Sequence, residues 1–159
     1  MKYHPRVMCF SLIELLIVMA IMGILSVTTV IVLDSRQKHT VGLQADTLRH
    51  HLAHTQLLAI SQQQRLKLTV DNAGGRYQVV SCSSSSCTST VPVVDPATGQ
   101  AFTIWLADGM TMAPINGSVI FDSLGRPQIT QSMLFTLSVP GRSVGVRVFP
   151  VTGYATLEY

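Results

Sequence analysis

No proline interrupts the chain between Arg6 and Val91, so nothing in that span removes a helical hydrogen bond or pushes the preceding residue out of the helical region. Charge is also scarce: eleven basic and eight acidic residues leave the 159-residue chain 12% charged and 47% apolar. That balance fits one ordinary domain plus a membrane segment and leaves no room for a second globular unit. The chain has no glycine-rich phosphate loop, no nucleophile elbow and no serine, histidine and aspartate at triad spacing, so neither catalysis nor a bound cofactor is expected.

The longest feature present is "CFSLIELLIVMAIMGILSVTTVIVL", residues 9–33. From Leu15 to Leu33 it carries no charge, and a helix of that length crosses roughly 30 Å of hydrocarbon. Lys2 and Arg6 precede the run and Arg36 and Lys38 follow it. The tendency of basic flanks to stay inside predicts a single-pass membrane protein with its short N-terminal arm in the cytoplasm and its bulk across the membrane. Glu14 stands near the start of the run. A carboxylate within hydrocarbon costs about 2.5–3.5 kcal/mol on insertion scales, so it either reaches water at the interface or has a partner.

The apolar run passes without a break into an amphipathic pattern. Val41, Ala45, Leu48, Leu52, Thr55 and Ala59 recur at intervals of four and three, while Asp46, Arg49 and Gln56 take other positions. This predicts one helix from about Leu12 to about Gln62, with Gly23 and Gly42 as its weak points. From Gln64 onward the chain reads as strands. "RLKLTV", "DNAGG" and "RYQVVSC" form a hairpin, and "AFTIWL", "SVIF", "PQIT", "MLFTLSV", "VGVRVFPV" and "YATLEY" follow between turn signals. The expected fold is α+β, a long N-terminal helix packed on an antiparallel β head, with 83–99 as its least structured loop.

Cys82 and Cys87 bracket four serines. A disulfide can close so short a loop where its ends meet in a turn, and an oxidising periplasm favours that bond over two free thiols. No second pair accompanies them for zinc. His50 and His54 stand one helical turn apart without an obvious third ligand, so a solvated or partly packed face is expected and no metal site. Asp71, Asp95, Asp108 and Asp122 lie beside turn residues, where their side chains bond local backbone. Phe102, Trp105 and Phe121 fall in expected strands and read as core.

A short basic leader followed by Phe10-Ser11-Leu12-Ile13-Glu14-Leu15-Leu16-Ile17-Val18 closely resembles the class III signal of type IV prepilins and type II secretion pseudopilins. The resemblance implies that a prepilin peptidase cuts between Cys9 and Phe10 and methylates the new amino group of Phe10. It implies that Glu14 meets the amino terminus of a neighbouring subunit. Residue 9 departs from the family pattern, which has glycine before the cut. The resemblance makes the membrane the inner one, and the resulting organisation is a leader at 1–9, a transmembrane and assembly helix at 10–33, an amphipathic helix at 34–62 and a periplasmic β-rich head at 63–159. After assembly the head would be extracellular.

The head, with "VIFDSLGRPQI" (Val119 to Ile129) and "VGVRVFPVTGYATLEY" near its end, resembles the GspH/FimT group of minor pilins and pseudopilins, chiefly through Phe121, Gly125 and Gly153. This implies a minor subunit that helps initiate pilus assembly, with other pilin subunits as partners. Two alternatives share the features: a type II secretion pseudopilin and a DNA-binding pilin for natural transformation. Some FimT-type relatives carry a glycine-arginine-x-arginine motif, where this chain reads Gly153-Tyr154-Ala155-Thr156. Arg126, Arg142 and Arg147 remain as candidate phosphate contacts. Removing Lys2 and Arg6 with the leader leaves nine basic against eight acidic residues, a weak attraction for nucleic acid.

Overall fold

The computed structural model describes residues 11–71, 73–84 and 87–159, and over 26–38 the helical backbone alone. The chain divides into two units, residues 1–37 and 38–159. A single helix, α1 (Leu12–Gln62), runs through the boundary, with the extent that the unbroken periodicity and the missing prolines predict. It ends in a Schellman motif. Gln63 takes φ 51°, its N–H bonds the carbonyl of Ile60, and the Gln64 N–H bonds that of Ala59. These bonds satisfy carbonyls that a helix terminus otherwise leaves unpaired.

In the second unit the strands form two antiparallel sheets rather than one layer. The first has the order β3 (Thr90–Pro92), β2 (Arg76–Cys82), β1 (Leu66–Val70), β6 (Ser118–Phe121), and β4 (Thr103–Trp105) also pairs with β2. The second has the order β5 (Thr111–Ala113), β7 (Met133–Val139), β8 (Arg142–Val148), β9 (Ala155–Glu158). The β1–β2 hairpin sets Leu66 against Ser81 and Val70 against Tyr77. Asp71 accepts a hydrogen bond from the Gly75 N–H across its turn.

The helical stripe supplies one wall of the core. Val41, Ala45, Leu48, Leu52, Thr55 and Ala59 are buried, together with Leu66, Leu68, Phe121, Phe135, Val146 and Val148 from the strands. Thr55, polar within this core, bonds its hydroxyl to the His51 carbonyl at 2.7 Å, so its burial leaves no donor unpaired.

Three local expectations differ from the structure. β3 ends at Pro92 inside the loop expected to be irregular; its three residues sit at a sheet edge, where proline costs no ladder bond. "PQIT" forms no strand, and only Pro127 bridges to Phe121, because the tight turn at 122–126 spends the length needed for pairing. Trp105 is 67% exposed rather than core. In the short edge strand β4 the side chains alternate, so Ile104 leans inward and Trp105 outward.

Candidate functional site

In the first unit, Ser11 precedes the helix and its carbonyl accepts hydrogen bonds from the N–H groups of Glu14 and Leu15. Glu14 therefore occupies the third helical position, in the first turn, where a carboxylate is favoured by the helix dipole. The Ser11-x-x-Glu14 spacing is that of a capping box, a signal legible in the sequence and a second physical reason for an acid at this place. The residues from Ser11 to Leu25 are exposed, from 77% at Leu12 to 43% at Val18 among the large apolar ones. Among the described residues no helix is long and apolar enough to cross a membrane. The side chains of 26–33, which complete the apolar run, lie outside the described residues, as do Cys9 and Phe10.

In the second unit, Gln56 fastens two turns to the helix. Its Nε2 donates to the carbonyl of Gly125 and to that of Thr152, each at 2.8 Å. Both turns need glycine. Gly125 has φ 76° and a β-carbon there would lie 2.7 Å from Ile60 Cδ1; Gly153 has φ 70° and its β-carbon would lie 2.9 Å from Phe121 Cε1. Asp122 completes the first turn by accepting from the N–H groups of Leu124 and Arg126. Gln56, one position off the buried stripe, escaped sequence reasoning because its partners are backbone groups remote in the chain.

On a different face of the helix, His51 Nδ1 lies 2.8 Å from the Tyr77 hydroxyl, and the Phe102 ring meets His51 edge-on at 5.1 Å. Burial pushes the Tyr77 phenol up, so it keeps its proton. Burial, then the neighbouring His54, holds His51 below its ordinary value, with Asp95 opposing. His54 tilts against Phe102, while His50 faces Asp46 at 3.5 Å. His50 and His54 thus serve different contacts, and no group of three metal-ligating side chains occurs among the described residues. Trp105 and Arg76 are cross-strand partners, with the guanidinium 4.8 Å from the ring centroid and also 3.4 Å from Asp71.

Cys82 and Cys87 are joined as a disulfide with their Cα atoms 4.7 Å apart. The three candidate arginines are not assembled into one patch. Arg147 is held by Glu158 and Ser132; the hydrogen bond to Glu158 raises Arg147, and the same bond lowers Glu158. Arg126 follows Gly125, which packs on Gln56 and Ile60, whereas Arg142 shares a groove with His39, Gly42, Leu43 and Asp46. The nearest of these two sets of helical positions, Asp46 and Gln56, are separated by about 15 Å of helix. Three dispersed guanidiniums, one neutralised, make a poor track for a phosphate backbone.

No protein-family model matches the chain, and no curated protein sequence matches it significantly. Solved structures do. The type IV minor pilin FimU of Pseudomonas aeruginosa is 14% identical, with a TM-score of 0.53 over 77% of this chain and 91% of that one. Two structures of the minor pseudopilin EpsH from the type 2 secretion system of Vibrio cholerae are also similar. One is 16% identical with a TM-score of 0.53, covering 74% of this chain and 95% of EpsH. The other is 14% identical with a TM-score of 0.55, covering 76% and 97%. At such identity the likeness speaks for the fold. A long helix laid on antiparallel sheets, superposable on FimU and EpsH over most of their lengths, gives this chain the pilin-like fold of the GspH type.

Proposed function

We propose that the protein is a minor subunit of a type IV pilus, stored in the inner membrane by its N-terminal helix and active by polymerisation rather than turnover. The observation that carries this reading is the contrast within α1. Its described residues 11–25 leave an all-round apolar surface exposed, whereas residues 41–59 bury a narrow stripe on the head. A helix that is apolar on every side is a membrane or core element, and the head already has its core without it. Supporting this, the fold is that of FimU and EpsH, and the resemblance of the leader to prepilin signals implies a peptidase cut between Cys9 and Phe10. Processing there would put a new amino group four residues before Glu14, and the carboxylate of one subunit would pair with the amine of the next. Such a pairing offsets part of the desolvation cost of both charges within the fibre, whereas either charge alone would bear it in full.

The secretion pseudopilus is the second reading, favoured by the equal likeness to EpsH. DNA uptake is the third, and the separation of Arg126 from Arg142 weighs against it. A deletion strain assayed in parallel for surface pili, natural transformation and exoprotein release separates them, since loss of pili alone is expected here. In the same strain, Glu14→Ala is expected to abolish incorporation into sheared fibres while the protein accumulates in the membrane. Normal incorporation of the variant, or fibres carrying the chain with its leader intact, would overturn the proposal.

A further inference from the structure

Between the start of the second unit's helical segment and the ends of β8 and β9 lies an open groove of about 490 Å³, lined by His39, Gly42, Leu43, Asp46, Arg142 and Leu157, with Tyr159 at its rim. Its volume falls within the range of about 300–1,000 Å³ usual for ligand pockets. Its chemistry is divided. Leu43 is 69% exposed and with Leu157 makes an apolar wall. Asp46 is engaged by Arg49 Nη2 at 2.8 Å and by His50, which leaves Arg142 as the groove's uncompensated charge, for it makes no ion pair among the described residues.

Gly42 supplies an independent argument. A glycine inside a helix costs about 1 kcal/mol relative to alanine, and here packing does not require it: a β-carbon at Gly42 would meet no atom within 4 Å. What a side chain there would do is fill the groove. The absent side chain therefore keeps open a cavity that combines a free guanidinium, an imidazole and apolar carbon.

We infer that this groove binds the headgroup of an anionic phospholipid, its phosphodiester on Arg142 and His39 and its glycerol carbons along Leu43 and Leu157. The inference rests on the membrane-stored reading above, which puts a lipid surface within reach: His39 follows Leu33, the last residue of the apolar run, by only six positions. A free phosphate shares the anionic chemistry, but it has no use for the apolar wall.

The test uses the full chain reconstituted into vesicles of phosphatidylcholine with phosphatidylglycerol, assayed first by flotation and then, after mild extraction, by native mass spectrometry of retained lipid. The wild type is expected to float and to retain phosphatidylglycerol over phosphatidylcholine, and Arg142→Gln to lower that preference about fivefold, the worth of one cation at an anionic surface. Gly42→Leu should abolish it, and Arg126→Gln should leave it unchanged. A chain that does not float overturns the membrane reading and this inference together. A chain that floats but shows no preference, or whose preference survives in both Arg142→Gln and Gly42→Leu, overturns the inference and leaves membrane storage standing. Displacement of the lipid by equimolar inorganic phosphate would assign the groove to free phosphate instead. Because Arg142 is exposed, its substitution leaves the fold intact and decides the matter even if Gly42→Leu misfolds.

Discussion

Replacing Gly153 by alanine tests whether the turn at 149–153 is held against the helix by contact or merely permitted by its backbone. The comparison is Gly141→Ala. Gly141 has φ 81° and open space around its β-carbon position, so that variant registers the left-handed backbone alone. Placing alanine there costs about 1–2 kcal/mol, offset by about 0.4–1 kcal/mol of lost freedom in the unfolded chain, for a net loss near 1 kcal/mol. At Gly153 the same backbone cost applies, and the new methyl also lies 2.9 Å from Phe121 Cε1 and 3.1 Å from Gln56 Nε2. Neither neighbour can yield easily, because Phe121 is fully buried and Gln56 is committed to two carbonyls. Overpacking of this kind adds about 1–3 kcal/mol. For a unit of this size the extra cost appears as a melting temperature roughly 4–10 °C below that of Gly141→Ala, read by near-ultraviolet circular dichroism of the full chain in detergent. In a Gln56→Ala background the penalty of Gly153→Ala should shrink, since one of the two obstructing groups is gone. Identical melts for the two glycine variants would refute the claim that Gln56 and Phe121 constrain this turn.

Two further outcomes follow from other parts of the head. His51 is held below its ordinary value of 6.5 by burial first and His54 second, so below that pH the unfolded imidazole takes a proton while the folded one stays neutral. Stability is therefore full above pH 6.5, falls as pH drops toward the folded value and then levels; a His51→Gln variant with an undiminished slope in urea titrations between pH 7 and pH 5 would refute this. Cys82 and Cys87 are five positions apart, and loop-closure entropy for so short a ring makes their bond worth about 2 kcal/mol. Cys82→Ser with Cys87→Ser should lower the urea midpoint accordingly without changing the slope, and an unchanged midpoint would show that the turn closes equally well without the bond.

The helix and its buried stripe were legible because both rest on local rules: no proline breaks the span, and Val41 to Ala59 repeat at the helical period. The β1–β2 hairpin was legible for the same reason, through alternation and the Asp71 to Gly75 turn. β3 and β5 were not, since three-residue strands at sheet edges carry too few positions to show alternation. Residue type alone favours the core for Trp105, but edge position decides its exposure, and edge position is a property of topology. The same limit hid Gln56 and the groove beside Arg142. Each is assembled from residues about 70 to 120 positions apart in the chain, and nothing in either local stretch announces its partner. Single residues pointed toward them: Gly125 and Gly153 through resemblance, Gly42 as an unexplained weak point in the helix, and Arg142 as a candidate phosphate contact.

The two units meet their apolar surface in different ways, and this separates the kinds of experiment that bear on each. The second unit satisfies itself: a stripe of six helical residues closes over two sheets, and the one polar member, Thr55, finds a carbonyl in its own helix. Changes there are felt as stability, which is why Gly153 and His51 are assayed by melting and titration. The first unit exposes apolar side chains from Leu12 to Val18 around an acid at the third helical position, and an exposed apolar helix is stable in water only at large cost. Its completion has to come from lipid or from other chains, so a change at Glu14 should be silent in a melt of the head and visible in the membrane and the fibre. A capping role alone would make Glu14→Ala a matter of a few tenths to about 2 kcal/mol of helix stability, and glutamine at the same place would then restore most of it. A charge that must meet an amine on a neighbouring chain admits no such neutral substitute, so the response to Glu14→Gln distinguishes the helix's own need for an acid from the need of the assembly.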